Sequence, residues 1–126
     1  MRIKYVLPVI ALAAGTAFTT ATPASADTNC SIGNFCLFYN SGMAGTHLHF
    51  NNSVADLAGY TFDCCGAGAG QSVKNNAASA RNDFTNYNVR VYYNSNYSGP
   101  SDLFAPGTAK NLVNTYNEDA SLRTFS

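Results

Sequence analysis

Two histidines, four cysteines and one adjacent pair of carboxylates are the residues of this 126-residue chain whose types and spacing could do chemistry. His47 and His49 are one residue apart, so in a strand both rings lie on one face, as two ligands of a zinc ion would. A zinc site wants at least one further ligand, and the cysteines have another use, so a polar strand face is the plainer reading. Serine hydrolysis would call for a G-x-S-x-G nucleophile elbow, which does not occur. Gly66, Gly68 and Gly70 spell G-A-G-A-G, without the G-x-G-x-x-G spacing of a dinucleotide-binding turn. Glu118 and Asp119 are neighbours and would point apart in an extended segment, not face each other across a glycosidase cleft. These absences point away from an enzyme: no catalytic residue is assigned and no cofactor is required.

The cysteines acquire their meaning from the N-terminus. Arg2 and Lys4 precede an apolar run from Val6 to Ala17, and Ala24-Ser25-Ala26 supplies a small-x-small cleavage site. Residues 1–26 therefore read as a secretory signal peptide, and the run is too short and interrupted for stable membrane insertion. Residues 27–126 remain as a single domain destined for an extracellular, disulfide-permissive environment. Cys30, Cys36, Cys64 and Cys65 allow three pairings. Adjacent α-carbons sit closer than a relaxed disulfide wants, so Cys64 and Cys65 are each expected to join one of Cys30 and Cys36. The sequence does not choose between the two crossings.

The remaining charge is nearly balanced. Lys74, Arg81, Arg90, Lys110 and Arg123 stand against Asp27, Asp56, Asp63, Asp83, Asp102, Glu118 and Asp119, a net of −2. Such a surface has little attraction for nucleic acid or anionic membranes.

Short alternating runs, punctuated by Asn, Gly and Ser, must position these residues, and they predict an all-β domain. The expected strands are Phe35–Tyr39, Thr46–Asn51, Gln71–Asn75, Val89–Tyr93, Ser101–Phe104, Thr108–Asn111 and Ala120–Phe125. Leu112–Asn117 suits a strand or one helical turn. The chain also repeats itself. Shifted by 54 positions, Asn34, Tyr39, Asn40, Ser41, Gly45 and Phe50 fall on Asn88, Tyr93, Asn94, Ser95, Gly99 and Phe104. Phe38 falls on Tyr92 and Met43 on Tyr97. A second echo matches Asn75–Ser79 to Asn117–Ser121 at an offset of 42. Each half thus holds an aromatic hairpin followed by an Asn-led loop ending in Ser, and the first half carries extra residues around its Gly-rich cysteine segment. In the hairpin the chain folds over at Asn94–Asn96, bringing Tyr97 back toward Tyr92, an aromatic pair worth about 0.5–1.5 kcal/mol beyond area burial.

Tyr92-x4-Tyr97-x-Gly99, with its weaker copy Phe38-x4-Met43-x-Gly45, resembles the signature of the βγ-crystallin Greek key. From Cys30 to Phe125 the chain is similar to single-domain members secreted by actinobacteria, and CLFYNSGMAG, VKNNAAS and VYYNSNYSG resemble the pattern of peptidase inhibitor family I36. The resemblance implies a two-Greek-key sandwich, disulfide-stabilised and monomeric. It also implies inhibition of a secreted protease, metallo or serine, by binding the active-site cleft. Rival readings on the same scaffold are a calcium-binding or cell-wall-associated structural module and a killer-toxin-like secreted protein.

The resemblance also implies a calcium motif, two Asn/Asp, two variable residues and then Ser/Thr and Ser. Asn75, Asn76 and Ser79 match one copy, with Ala80 departing; Asn117 and Ser121 match the other, with Glu118 a stand-in and Leu122 departing. Weak calcium binding or plain turn capping both follow from such loops. For inhibition, the expected contact segment is Phe62, Asp63, Cys64, Cys65, Gly66, Ala67 and Gly68, running on to Gly70. It is read as an extended, small-residue loop with disulfide-fixed ends that would enter a cleft at low ordering cost. Its alternative is a connecting loop with Phe62 in the core.

Overall fold

The computed structural model describes residues 30–126. The expected signal peptide and the first residues after it lie outside the described residues. Seven strands follow one another: β1 (Phe35–Asn40), β2 (Ala44–Phe50), β3 (Ser79–Asn82), β4 (Asn88–Asn94), β5 (Ser98–Phe104), β6 (Ala109–Asn111) and β7 (Ser121–Phe125), with a 3-10 turn over Ser41–Met43 between β1 and β2. They form two antiparallel sheets, ordered β2-β1-β3-β6 and β5-β4-β7. No helix among the described residues is long and apolar enough to cross a membrane.

Strand alternation builds the core. Phe35 and Leu37 of β1 point inward, as do Val89 and Val91 of β4. Phe35 meets Phe104 edge-on across the sandwich at 5.4 Å between ring centroids. Phe50, Leu57, Phe62, Val73, Leu112 and Leu122 complete the same cluster. On the outer face of β1, Cys36 is bonded to Cys30 and Phe38 lies 5.2 Å from the His47 ring.

The repeat read from the sequence is a repeat of structure. Both hairpins break register at the same place, between Phe38 and Asn40 and between Tyr92 and Asn94. Both then turn through left-handed residues, Gly42 and Met43 in one and Asn96 and Tyr97 in the other. Tyr92 and Tyr97 meet edge-on at 6.1 Å, as expected of the folded-over hairpin. The halves also exchange a strand. β6, from the second half, pairs with β3 of the first. Its counterpart in the first half shrinks to Val54, which exchanges hydrogen bonds of 2.9 and 3.0 Å with Leu122. Each Greek key thereby closes only by borrowing from the other.

Three expectations are corrected. Gln71–Asn75 is not a strand: Ser72 makes an isolated bridge to Thr61 and the chain then turns. Ser79–Asn82 is a strand that the sequence did not announce, since Ser, Ala, Arg and Asn carry little β-propensity; pairing with β1 on one side and β6 on the other makes it one. The disulfides join Cys30 to Cys36 and Cys64 to Cys65. The expectation of crossed pairs rested on the short separation of adjacent α-carbons; the two neighbouring cysteines are nonetheless bonded to each other, across a cis peptide with the α-carbons 2.9 Å apart. Cys30, six residues from Cys36, reaches it at an α-carbon separation of 5.8 Å.

Leu112–Asn117 resolves as turns organised by one carboxylate. Asp102, 7% exposed, accepts hydrogen bonds from the Thr115 hydroxyl (2.6 Å) and from the backbone N–H groups of Val113, Asn114 and Thr115. Burial pushes its pKa up, but these four donors outweigh it and hold the carboxyl below its ordinary value. No sequence motif marked Asp102.

Candidate functional site

The segment from Tyr60 to Val73 is the extra length of the first half, and it folds back on itself. Val73 N–H donates to Tyr60 O, Phe62 N–H to Gln71 O and Gly70 N–H to Phe62 O, at 2.9 to 3.0 Å, so the two ends of the loop are pinned together. Phe62 is the anchor. It is 2% exposed, belongs to the core cluster and meets Tyr39 edge-on at 5.7 Å. Of the expected contact residues, Phe62 therefore faces inward while Cys65, Gly66 and Ala67 are exposed, and Asp63, Cys64 and Gly68 are half-buried.

Beyond the anchor the loop is turned, not extended. Ala69 N–H donates to Gly66 O at 3.1 Å and Gln71 N–H to Gly68 O at 2.9 Å. The loop is held down along β2 as well: Ala67 O accepts from the N–H and the hydroxyl of Thr46 at 2.9 and 3.0 Å, and Asp63 N–H reaches His47 O at 3.2 Å. Gly68 has a positive φ of 92°, and a Cβ there would overlap the Tyr39 ring, so glycine is required. The expected fixing of the loop is present, but its source differs. Core packing and backbone hydrogen bonds secure the ends, and the disulfide lies inside the loop. Next to it, His49, Asn51, Asn52, Val54 and Tyr60 line a cleft of about 260 Å³.

The two expected calcium loops lie against each other. Asn75 N–H donates to Asp119 O and Asn117 N–H to Ala77 O, at 2.8 and 2.9 Å, and both asparagines are left-handed. Asn76 and Asn117 share a cleft of about 160 Å³ with Tyr39 and Tyr116. The serines are occupied elsewhere. The Ser79 hydroxyl donates to Asn40 O and accepts from Met43 N–H, and the Ser121 hydroxyl treats Asn94 and Tyr97 in the same way. Glu118 is exposed at the loop surface. The carboxylate nearest the loops, Asp119, is fully buried and accepts from Ala77 N–H at 3.0 Å; desolvation pushes its pKa well up despite that bond. The serine hydroxyls of the motif already fasten the two hairpins, so a calcium ion would have to share them. Among the described residues no three His, Cys, Asp or Glu side chains gather as a metal site, His47 and His49 included.

A sandwich of two interlocked Greek keys with a clamped surface loop places the chain among the βγ-crystallin-like proteins. Three solved structures agree. One, described with the evolution of the eye-lens βγ-crystallin domain fold, superposes with a TM-score of 0.61 at 10% identity, covering 79% of this chain and 92% of that one. The N-terminal domain of Protein S gives 0.56 at 19% identity, covering 74% and 96%. A βγ-crystallin from Ciona intestinalis gives 0.55 at 21% identity, covering 74% and 100%. At such identities the likeness is one of fold. The profile of peptidase inhibitor family I36 matches residues 23–104, and the chain belongs to that family. No curated protein matches it. Family membership brings a protease as partner, and with the disulfides it is consistent with secretion.

Proposed function

We propose that this protein is a secreted, monomeric and non-catalytic inhibitor that occupies the active-site cleft of an extracellular protease with the turned loop from Asp63 to Gly70. The observation that carries the reading is the clamp on that loop. Phe62 is sunk in the core and Ala67 O is tied to Thr46, while exposed Cys65, Gly66, Ala67, Ala69 and Gly70 present small side chains. A surface already ordered loses little entropy on binding, and small side chains let a target approach the backbone closely. Against a metalloprotease, exposed backbone carbonyls could approach the enzyme's metal; against a serine protease, the same carbonyls and N–H groups would line its cleft.

The test titrates the mature, disulfide-intact protein against a thermolysin-like zinc protease and a subtilisin-like serine protease, with calcium controlled separately. Stoichiometric 1:1 inhibition of one of them is expected. Ala69→Arg should weaken it by about tenfold or more, as a charged side chain driven into a tight contact does, with thermal stability unchanged. Inhibition that is indifferent to Ala69→Arg and to replacement of Cys64 and Cys65, in proteins that still fold, would move the contact surface elsewhere.

A further inference from the structure

The outer face of the β5-β4-β7 sheet carries a charge arrangement that folding alone does not explain. Arg90 of β4 and Arg123 of β7 are direct cross-strand partners, so two guanidinium groups project side by side from one face. Like charges placed opposite each other destabilise a sheet unless something lies between them. Among the described residues neither arginine has a carboxylate partner, whereas Lys74 pairs with Asp56.

The internal repeat makes the contrast sharper. The position equivalent to Arg123 in the first half is Arg81, which pairs with Asp83 at 3.0 Å. At the place equivalent to Asp83 the second half has Phe125, and at the place equivalent to Cys36 it has Arg90. The second half thus has no neutralising acid at that place and carries an additional cation beside it. Both guanidinium groups are also held in position. Arg90 donates to the Ser101 hydroxyl at 3.0 Å, and Arg123 lies over the Tyr97 ring at 5.3 Å, itself braced edge-on by Tyr92. Arg90, Arg123, Tyr92 and Phe125 line a groove of about 330 Å³, and Leu103, 40% exposed, borders it beside Arg90.

We propose that this face is a recognition site for an acidic peptide segment of a protein partner, in which Arg90 and Arg123 grip a carboxylate while Tyr92, Phe125 and Leu103 take its apolar neighbours. Planar guanidinium forks match planar carboxylates. Two cations on a chain of near-neutral charge suit a local carboxylate and not a long polyanion such as a nucleic acid. The site lies on a different sheet from the loop proposed for protease contact and does not depend on that reading.

Side-chain Nε–Hε resonances of the two arginines in the 15N-labelled mature protein, followed at low salt, test it without any protease. A capped tetraglutamate peptide should shift both resonances saturably, and a capped tetraglutamine peptide should not. The Arg90→Gln, Arg123→Gln double variant should bind the acidic peptide at least about tenfold more weakly, and Arg→Lys at both sites should fall between, because the charge stays and the fork is lost. Absence of saturable shifts in the wild-type protein, or equal binding by the double Gln variant, would overturn the proposal. Inorganic phosphate binding as tightly as tetraglutamate would overturn the peptide assignment, leaving a simple anion site.

Discussion

Ser121 stands to the Asn94–Tyr97 turn as Ser79 stands to the Asn40–Met43 turn: each hydroxyl donates to the first carbonyl, at 2.7 and 2.6 Å, and accepts the N–H three residues later, at 3.1 and 2.9 Å. Both serines are fully buried beneath the hairpins they fasten. The Asn-to-Ser echo in the sequence thus marks the residue that locks each folded hairpin onto its own last strand, and it does so whether or not a cation binds nearby.

Ser121→Ala removes a buried group that serves one donor and one acceptor, and strands both partners. The expected loss is about 1–3 kcal/mol, read as a lower urea midpoint at unchanged m-value. Ser79→Ala should cost a similar amount. A midpoint unchanged in either variant would show that the hydroxyl does not hold its hairpin.

Gly68→Ala places a methyl group against the Tyr39 ring and forces an L-residue to a φ of 92°. The expected cost is about 1–3 kcal/mol, with faster amide exchange at Phe62, Gly70 and Gln71 as the loop lifts from the core. If the loop is the inhibitory surface, inhibition weakens in step with that exchange. Unchanged exchange would mean that Tyr39 simply moves aside.

Asp102 sets an acid limit on stability. Its folded pKa lies below the ordinary 3.8, so its contribution is complete above that value and is lost as pH falls through the lower folded value. Asp102→Ala should cost about 1.5–3 kcal/mol at neutral pH and free the amides of Val113, Asn114 and Thr115 to exchange. The gap between variant and wild type should narrow as the pH falls below 3.8.

Asp119 works in the opposite sense. Its folded pKa is raised above 3.8, so the folded state holds the proton more tightly than the unfolded one, and stability falls as pH rises from 3.8 toward the folded value and then levels. Asp119→Asn keeps an acceptor for Ala77 N–H and has no charge to bury. Urea midpoints of the variant should lack that decline, so its advantage over wild type grows across the window. Identical pH profiles would remove Asp119 as the source.

The sequence by itself determined the duplicated architecture. Hydrophobic alternation in Phe35–Tyr39 and Val89–Tyr93 reports which face meets the core, and the spacing of Tyr92, Tyr97 and Gly99 reports the folded hairpin, because both are local properties of the chain. The same locality let the Gly-rich insertion be read directly. What the tertiary structure decided is non-local. Ser79–Asn82 became a strand through neighbours on either side, Val54 replaced a whole strand through one bridge to Leu122, and Phe62 left the expected contact surface because the core had a place for it against Tyr39. Pairing of the cysteines, the burial of Asp102 and Asp119, and the meeting of Arg90 with Arg123 depended likewise on backbone geometry and strand register. These are contacts between residues whose types give no sign of one another until the sheets have closed.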